Sequence, residues 1–144
     1  MPPDPGTLAE ARAWFTKAAL DLRAADYEVG AAPALNTDIV FHAQQAAEKS
    51  LKGFLTFHGR ASRKTHNLVE LGEACTALDA SLESLLRRAA YLTEYAWRFR
   101  YPGESDEPGD DEAAEALSLA KEVCEAVLSR QPNEVRPEAD SAGL

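Results

Sequence analysis

The chain has 144 residues, 45% of them hydrophobic, and its 24 Asp and Glu against 15 Lys and Arg give a formal net charge of -9. That length suits one domain burying roughly two thirds of the surface its unfolded form exposes, and the excess of Ala, Leu and Glu over Ile and Thr favours helices. An all-α fold is expected, and the acidic total excludes a broadly basic nucleic-acid binder.

The amino end, MPPDPGTLAE, has neither a basic nor an apolar signal region, and no apolar run approaches a membrane span. Export and membrane insertion are therefore not expected, and a cytoplasmic location is. Thr7-Leu8-Ala9-Glu10 has the form of a capping box, which starts a first helix after an N-terminal tail of residues 1–7. Its apolar stripe is Ala11, Trp14, Ala18, Leu22, Ala25 and Val29, with Lys17 and Asp21 placed to pair outside. Gly30 and Pro33 end it.

The second helix, DIVFHAQQAAEKSLKGFLTFHG, runs from a cap at Asn36 or Asp38 to Gly59, a residue suited to a left-handed end. At 100° per residue, Val40, Ala43, Ala47, Leu51, Phe54 and Leu55 share an apolar face edged by Gln44 and His58. His42, Gln45, Lys49, Lys52 and Thr56 project oppositely, and Ala46, Ser50 and Gly53 form a strip small enough for close helix approach. Glu48 can pair with Lys52 at i,i+4, and Gln44 with Glu48 suits a buried structural polar network.

After a basic loop, Arg60 to Lys64, Thr65 is the expected cap of a third helix carrying Leu68, Leu71, Cys75 and Leu78. Ser81 caps a fourth, with core positions Leu85, Ala89, Leu92 and Ala96 beside a basic and aromatic ridge of Arg88, Tyr91, Tyr95 and Arg98. Pro102 and Gly103 end it, so Arg100 and Tyr101 fall at its unwinding end. Residues 104–112, ESDEPGDDE, have the composition of a mobile linker. Asp110, Asp111 and Glu112 then favour the start of a last helix with Ala113, Leu117, Ala120, Cys124, Val127 and Leu128 inward. Residues 132–144 are expected to be a disordered C-terminal tail and 8–131 the bundle. Cys75 and Cys124, at apolar helical positions, are expected to be buried thiols.

Charge is unevenly spread. Lys49 to Val69 holds Lys49, Lys52, Arg60, Arg63 and Lys64 without an acid, and Arg87 to Gly103 holds Arg87, Arg88, Arg98 and Arg100 against Glu94. Such windows make a basic patch on an acidic body, or else ordinary solvated helix faces. His42, His58 and His66 lack partners at metal-ligand spacing, and no phosphate loop, nucleophile elbow or dinucleotide fingerprint occurs. No metal or cofactor is expected. His66, placed by this reading in the first turn of the third helix, either accepts a proton as a neutral imidazole or caps a neighbouring helix. Arg100 either forks onto a phosphate or pairs with Glu48.

The ordered set Trp14-Phe15 with Ala18 and Asp21-Leu22, Phe41 to Lys52, Lys64-Thr65-His66-Asn67-Leu68 and Arg100-Tyr101-Pro102 resembles small prokaryotic HEPN domain proteins over about residues 8 to 130. The resemblance implies an up-and-down antiparallel bundle of four to five helices, a homodimer or higher oligomer, and pairing with a nucleotidyltransferase partner in a toxin-antitoxin-like system. Many members are metal-independent ribonucleases whose signature is an Arg followed, after four to six residues, by a His late in the bundle. No histidine follows His66 here, and Arg60 with His66 matches the spacing only across the loop into the third helix. Nucleotide or RNA binding through Gln45, Lys49, Lys52, Lys64, Arg98, Arg100 and Tyr101, with Tyr91 or Tyr95 for stacking, is the leading expectation. The enzymatic alternative uses His66 as base and Arg100 on the phosphorane. A third reading is a structural oligomer joined through Ala46, Ser50 and Gly53.

Overall fold

The computed structural model describes residues 3–60, 64–103 and 106–137. Five α-helices, α1 (Pro5–Val29), α2 (Asn36–Phe57), α3 (Leu68–Leu78), α4 (Glu83–Ala89) and α5 (Asp110–Leu128), together with short 3-10 segments make the described residues 75% helical, and no strand occurs among them. The all-α bundle read from composition is therefore the fold. Phe15 lies against Gly53, Asp21 pairs with Lys49 and Glu28 meets His42, so α1 and α2 are antiparallel. Asn36 reaches Asp110, and Ser50 reaches Cys124, which sets α5 alongside α2 in the same direction. The segments 88–95 and 112–122 run antiparallel, tied by Arg88 to Glu122 and by Tyr95 to Glu112.

Several ends differ from the sequence reading, each for a local reason. Helix α1 starts before the predicted capping box because Asp4 caps it: its carboxylate accepts from the Thr7 amide at 2.8 Å, with Pro5 opening the helix where no amide hydrogen is needed. Phe15, rather than Trp14, is its buried aromatic, and Val29 is exposed. Asn36 is the first residue of α2 and spends its side chain on the Pro108 carbonyl and Asp110. Helix α3 is capped by Asn67, whose Oδ1 accepts from Val69 and Glu70, while Thr65 accepts from the Asn67 amide one step earlier.

Asp79, not Ser81, caps the next segment, a 3-10 turn at Ala80–Leu82 that leads into α4. From Ala90 to Ala96 the chain continues as 3-10 helix, which brings every third residue to one face, so Ala89, Leu92 and Tyr95 turn inward together. Tyr95 is therefore core, 2% exposed, with its hydroxyl donating to Glu112 at 2.6 Å, and the expected surface ridge loses its middle. Leu86 replaces Leu85 as the buried leucine of α4.

The predicted linker and tail are partly packed. Pro108 is buried, and a 3-10 turn at Asn133–Val135 places Val135 in the core at 0% exposure. Residues 104–105 and 138–144 lie outside the described residues.

Helix α2 is the axis of the fold, with fourteen of its 22 residues buried. Its apolar face is buried throughout, and Gly59 has φ +73, the left-handed value expected of it. The small strip is internal as well. Ser50 donates to the Cys124 sulfur at 3.0 Å, and Gly53 meets the Phe15 ring, so α1 and α5 occupy the surface that the oligomer reading required. Cys75 and Cys124 are both buried free thiols, their pKa values each pushed up to about 12 by burial.

Candidate functional site

One face of α2 gathers four of the candidate residues, Gln44, Gln45, Glu48 and Lys52. Phe41, Gln44, Gln45, Glu48 and Lys52 follow one another at steps of three, one, three and four, so they line a single stripe. The chain after α2 returns to lay His66 on Glu48, and the segment after the 3-10 helix lays Arg100 on Phe41. Seven residues of helix separate those two contacts, about 10 Å along the axis.

Glu48 is the hub at 3% exposure. Its Oε1 accepts from Gln44 Nε2 at 2.9 Å and lies 2.7 Å from His66 Nδ1, and its Oε2 accepts from Lys52 Nζ at 2.9 Å. Burial pushes this carboxyl's pKa up, but the hydrogen bonds from Gln44, His66 and Lys52 outweigh burial and hold it below its ordinary value. An ionised carboxylate only accepts, so His66 Nδ1 must carry the hydrogen in this contact. The opposite nitrogen of a neutral ring is then an acceptor, on a side chain that is 65% exposed. His66 precedes α3 rather than sitting in its first turn, and its orientation comes from Glu48 in place of a helix end.

The lysines of α2 depart from expectation. Lys52 is 7% exposed, bound to Glu48 and set 5.5 Å from the Trp14 ring centre, so a phosphate would have to displace a buried carboxylate to reach it. Lys49 is tied to Asp21 of α1 at 2.7 Å. His42 pairs with Glu28, and Thr56 is buried. Helix α1 covers this side of α2, a neighbour that one helical wheel does not reveal. Gln45 is half-buried and donates to Gln44 Oε1 at 2.6 Å.

Arg100 does not pair with Glu48. Its guanidinium lies 4.6 Å from the Phe41 ring centre and donates once, to the Ala96 carbonyl at 3.2 Å, and among the described residues no carboxylate pairs with it. Arg98 is engaged, with Glu94 at 2.6 Å and the Phe99 ring at 4.5 Å. Arg60, Lys64 and Tyr101 are exposed, and Arg63 lies outside the described residues. Arg88 bonds Glu122 through both terminal nitrogens.

The sequence reading missed two features. Phe41 is the platform for Arg100, a contact between segments far apart in the chain that no spacing within α2 signals. Trp97 is 54% exposed one residue before Arg98, and its place in the run Trp97-Arg98-Phe99-Arg100-Tyr101 was visible as an alternation of rings and guanidiniums. Among the described residues no group of three or more His, Cys, Asp or Glu is placed to hold a metal ion, and no helix is long and apolar enough to cross a membrane.

The fold and site thus define a small helical domain whose most buried helix holds an imidazole through Glu48 at one point and, about two turns away, seats on Phe41 an arginine that has no carboxylate partner among the described residues. Comparison with protein families matches residues 11–131 to the HEPN domain, and the chain belongs to that family. HEPN domains are associated with nucleotide or RNA binding and with toxin-like ribonucleases. No curated protein and no solved structure gives a significant match.

Proposed function

We propose that this HEPN domain binds RNA or a nucleotide on the exposed surface between His66 and Arg100, with Arg100 as the principal phosphate contact and Lys64 and Arg60 as peripheral charge. The observation that carries this reading is Arg100, seated on Phe41 and free of any carboxylate among the described residues. A guanidinium with donors to spare suits a bidentate phosphate. Lys49 and Lys52 leave the phosphate set, because their charges are spent on Asp21 and Glu48. Arg100→Ala is expected to weaken binding of a short single-stranded RNA by about tenfold or more. It should also flatten the dependence of log affinity on log salt by about 0.7, the loss of one phosphate contact. Anisotropy titrations at several salt concentrations decide this, and an unchanged slope would remove Arg100 from the interface.

By family resemblance, the domain forms a homodimer or larger assembly and works in the cytoplasm with a nucleotidyltransferase as a toxin-antitoxin-like pair. Co-expression with a nucleotidyltransferase from a neighbouring gene, followed by size-exclusion chromatography, tests the pairing, and separate elution of the two proteins counts against it.

A second reading, metal-independent RNA cleavage, is favoured by one specific contact, His66 held by Glu48. His66 would remove the proton of a ribose 2′-hydroxyl, whose oxygen attacks the adjacent phosphorus and displaces the 5′-oxygen, which takes a proton from water, with Glu48 fixing the tautomer and Arg100 steadying the phosphorane. Here His66→Ala abolishes cleavage while EDTA leaves it intact. Wild-type protein inactive on varied RNA substrates would leave binding alone.

A further inference from the structure

The run Trp97-Arg98-Phe99-Arg100-Tyr101 alternates aromatic and guanidinium side chains without interruption. Its backbone treats the three rings differently. Phe99 has φ +70, a left-handed conformation strained for an aromatic residue. That turn tucks the Phe99 ring inward, stacked on Tyr95 at 6.1 Å between centres, while Arg98 covers it at 4.5 Å and is itself held by Glu94. Tyr95 is anchored in turn by Glu112 and flanked by Tyr91. From this stacked base Trp97 and Tyr101, 54% and 59% exposed, stand outward without a ring partner among the described residues.

We propose that Trp97 and Tyr101 are stacking platforms for successive bases of single-stranded RNA, with the backbone phosphate between them on Arg100. This deepens the binding reading above and rests on it. A single strand alternates a flat, sequence-tolerant π-face with a charged phosphate, and this segment exposes two rings, Trp97 and Tyr101, with one guanidinium, Arg100, that no carboxylate among the described residues neutralises. A protein partner is the poorer fit. Aromatic anchors of protein interfaces sit within a shell of apolar contacts that excludes water, whereas these rings are bordered in the chain by Arg98, Arg100, Pro102 and Gly103, all of them exposed. Of the four arginines between Arg87 and Gly103, Arg87 pairs with Glu83, Arg88 with Glu122 and Arg98 with Glu94, which leaves Arg100 as the charge without a carboxylate partner among the described residues.

The chain has two tryptophans, so Trp14→Phe leaves Trp97 as the sole indole. Titrating that variant with a short oligouridylate should quench Trp97 fluorescence, saturating at the affinity that anisotropy reports. Pyrophosphate, which has charge but no base, should bind without quenching. Trp97→Ala and Tyr101→Ala should each weaken RNA binding roughly five- to hundredfold. Trp97→Phe should recover most of the loss. Circular dichroism melts of the variants should match wild type, because both side chains are exposed. RNA affinity unchanged in the Trp97→Ala, Tyr101→Ala double variant overturns the platform and leaves the Arg100 site standing. Absence of RNA binding to wild type at low salt overturns both. Light scattering that shows a dimer dissolved by Trp97→Ala, with RNA affinity unaffected, assigns the rings to a protein contact and overturns the proposal.

Discussion

Replacing Glu48 with alanine is expected to destabilise the domain by about 3–5 kcal/mol, the cost of removing one partner from a buried ion pair. The substitution leaves the Lys52 ammonium, its side chain 8% exposed, without a counter-ion, and also strips acceptors from Gln44 and His66. His66→Ala, by contrast, removes a largely exposed ring and should cost about 1 kcal/mol or less. Much of the Glu48 loss should return in Glu48→Leu with Lys52→Met, where apolar groups of similar volume replace both charges. Urea denaturation of the four proteins measures these differences, and a Glu48→Ala cost below 1 kcal/mol would show that the pair is open to water. The pair also sets an acid limit. Hydrogen bonding holds the folded Glu48 pKa below its ordinary value of 4.5, so its contribution is complete above that pH and vanishes as pH falls through the folded value. Glu48→Gln should lose this acid-side component.

How far the sequence carried the structure can be judged on α2. Its apolar period placed Val40, Ala43, Ala47, Leu51, Phe54 and Leu55 correctly in the core, and Gly59 ended it with the backbone that glycine permits. The opposite face misled because a wheel ranks residues by hydropathy and says nothing of neighbours. Lys52 is polar by type and buried by position, since α1 lies over it and Glu48 neutralises it. Caps were misplaced where competing side chains were adjacent: Thr65 and Asn67 each bond the backbone, and the register of Leu68 and Leu71 alone does not choose between them. Tyr95 was read at a spacing of 3.6, and the 3-10 geometry of Ala90–Ala96 turned it inward.

The site was legible as a set of residue types and illegible as partnerships. His66, Glu48 and Arg100 were all candidates, but the pairing of Glu48 with His66 instead of Arg100 depends on where the loop after Gly59 returns. No local pattern encodes that path. It leaves Arg100 with donors unspent while Glu48 orients His66.

Packing at Gly53 sets the second large effect. A Cβ there would stand 2.8 Å from Phe15 Cε1 and 2.9 Å from Cζ, and Phe15 is 1% exposed, so the ring has little room to retreat. For Gly53→Ala two terms compete: helix propensity returns about 1 kcal/mol, and overpacking costs about 1–3 kcal/mol. A net loss of up to about 2 kcal/mol is expected. Gly53→Leu adds three further carbons at the same contact and should reach about 3 kcal/mol or more, while Phe15→Ala, which opens a cavity, should cost about 3–5 kcal/mol. Combining Gly53→Ala with Phe15→Leu should cost less than the sum of the two, because each relieves the misfit of the other. Light scattering separates this from the oligomer reading of Ala46, Ser50 and Gly53. With α1 and α5 on the strip, Gly53→Leu lowers the melting temperature and leaves the mass of the folded protein unchanged. A change in mass at unchanged stability would instead place the strip on the surface.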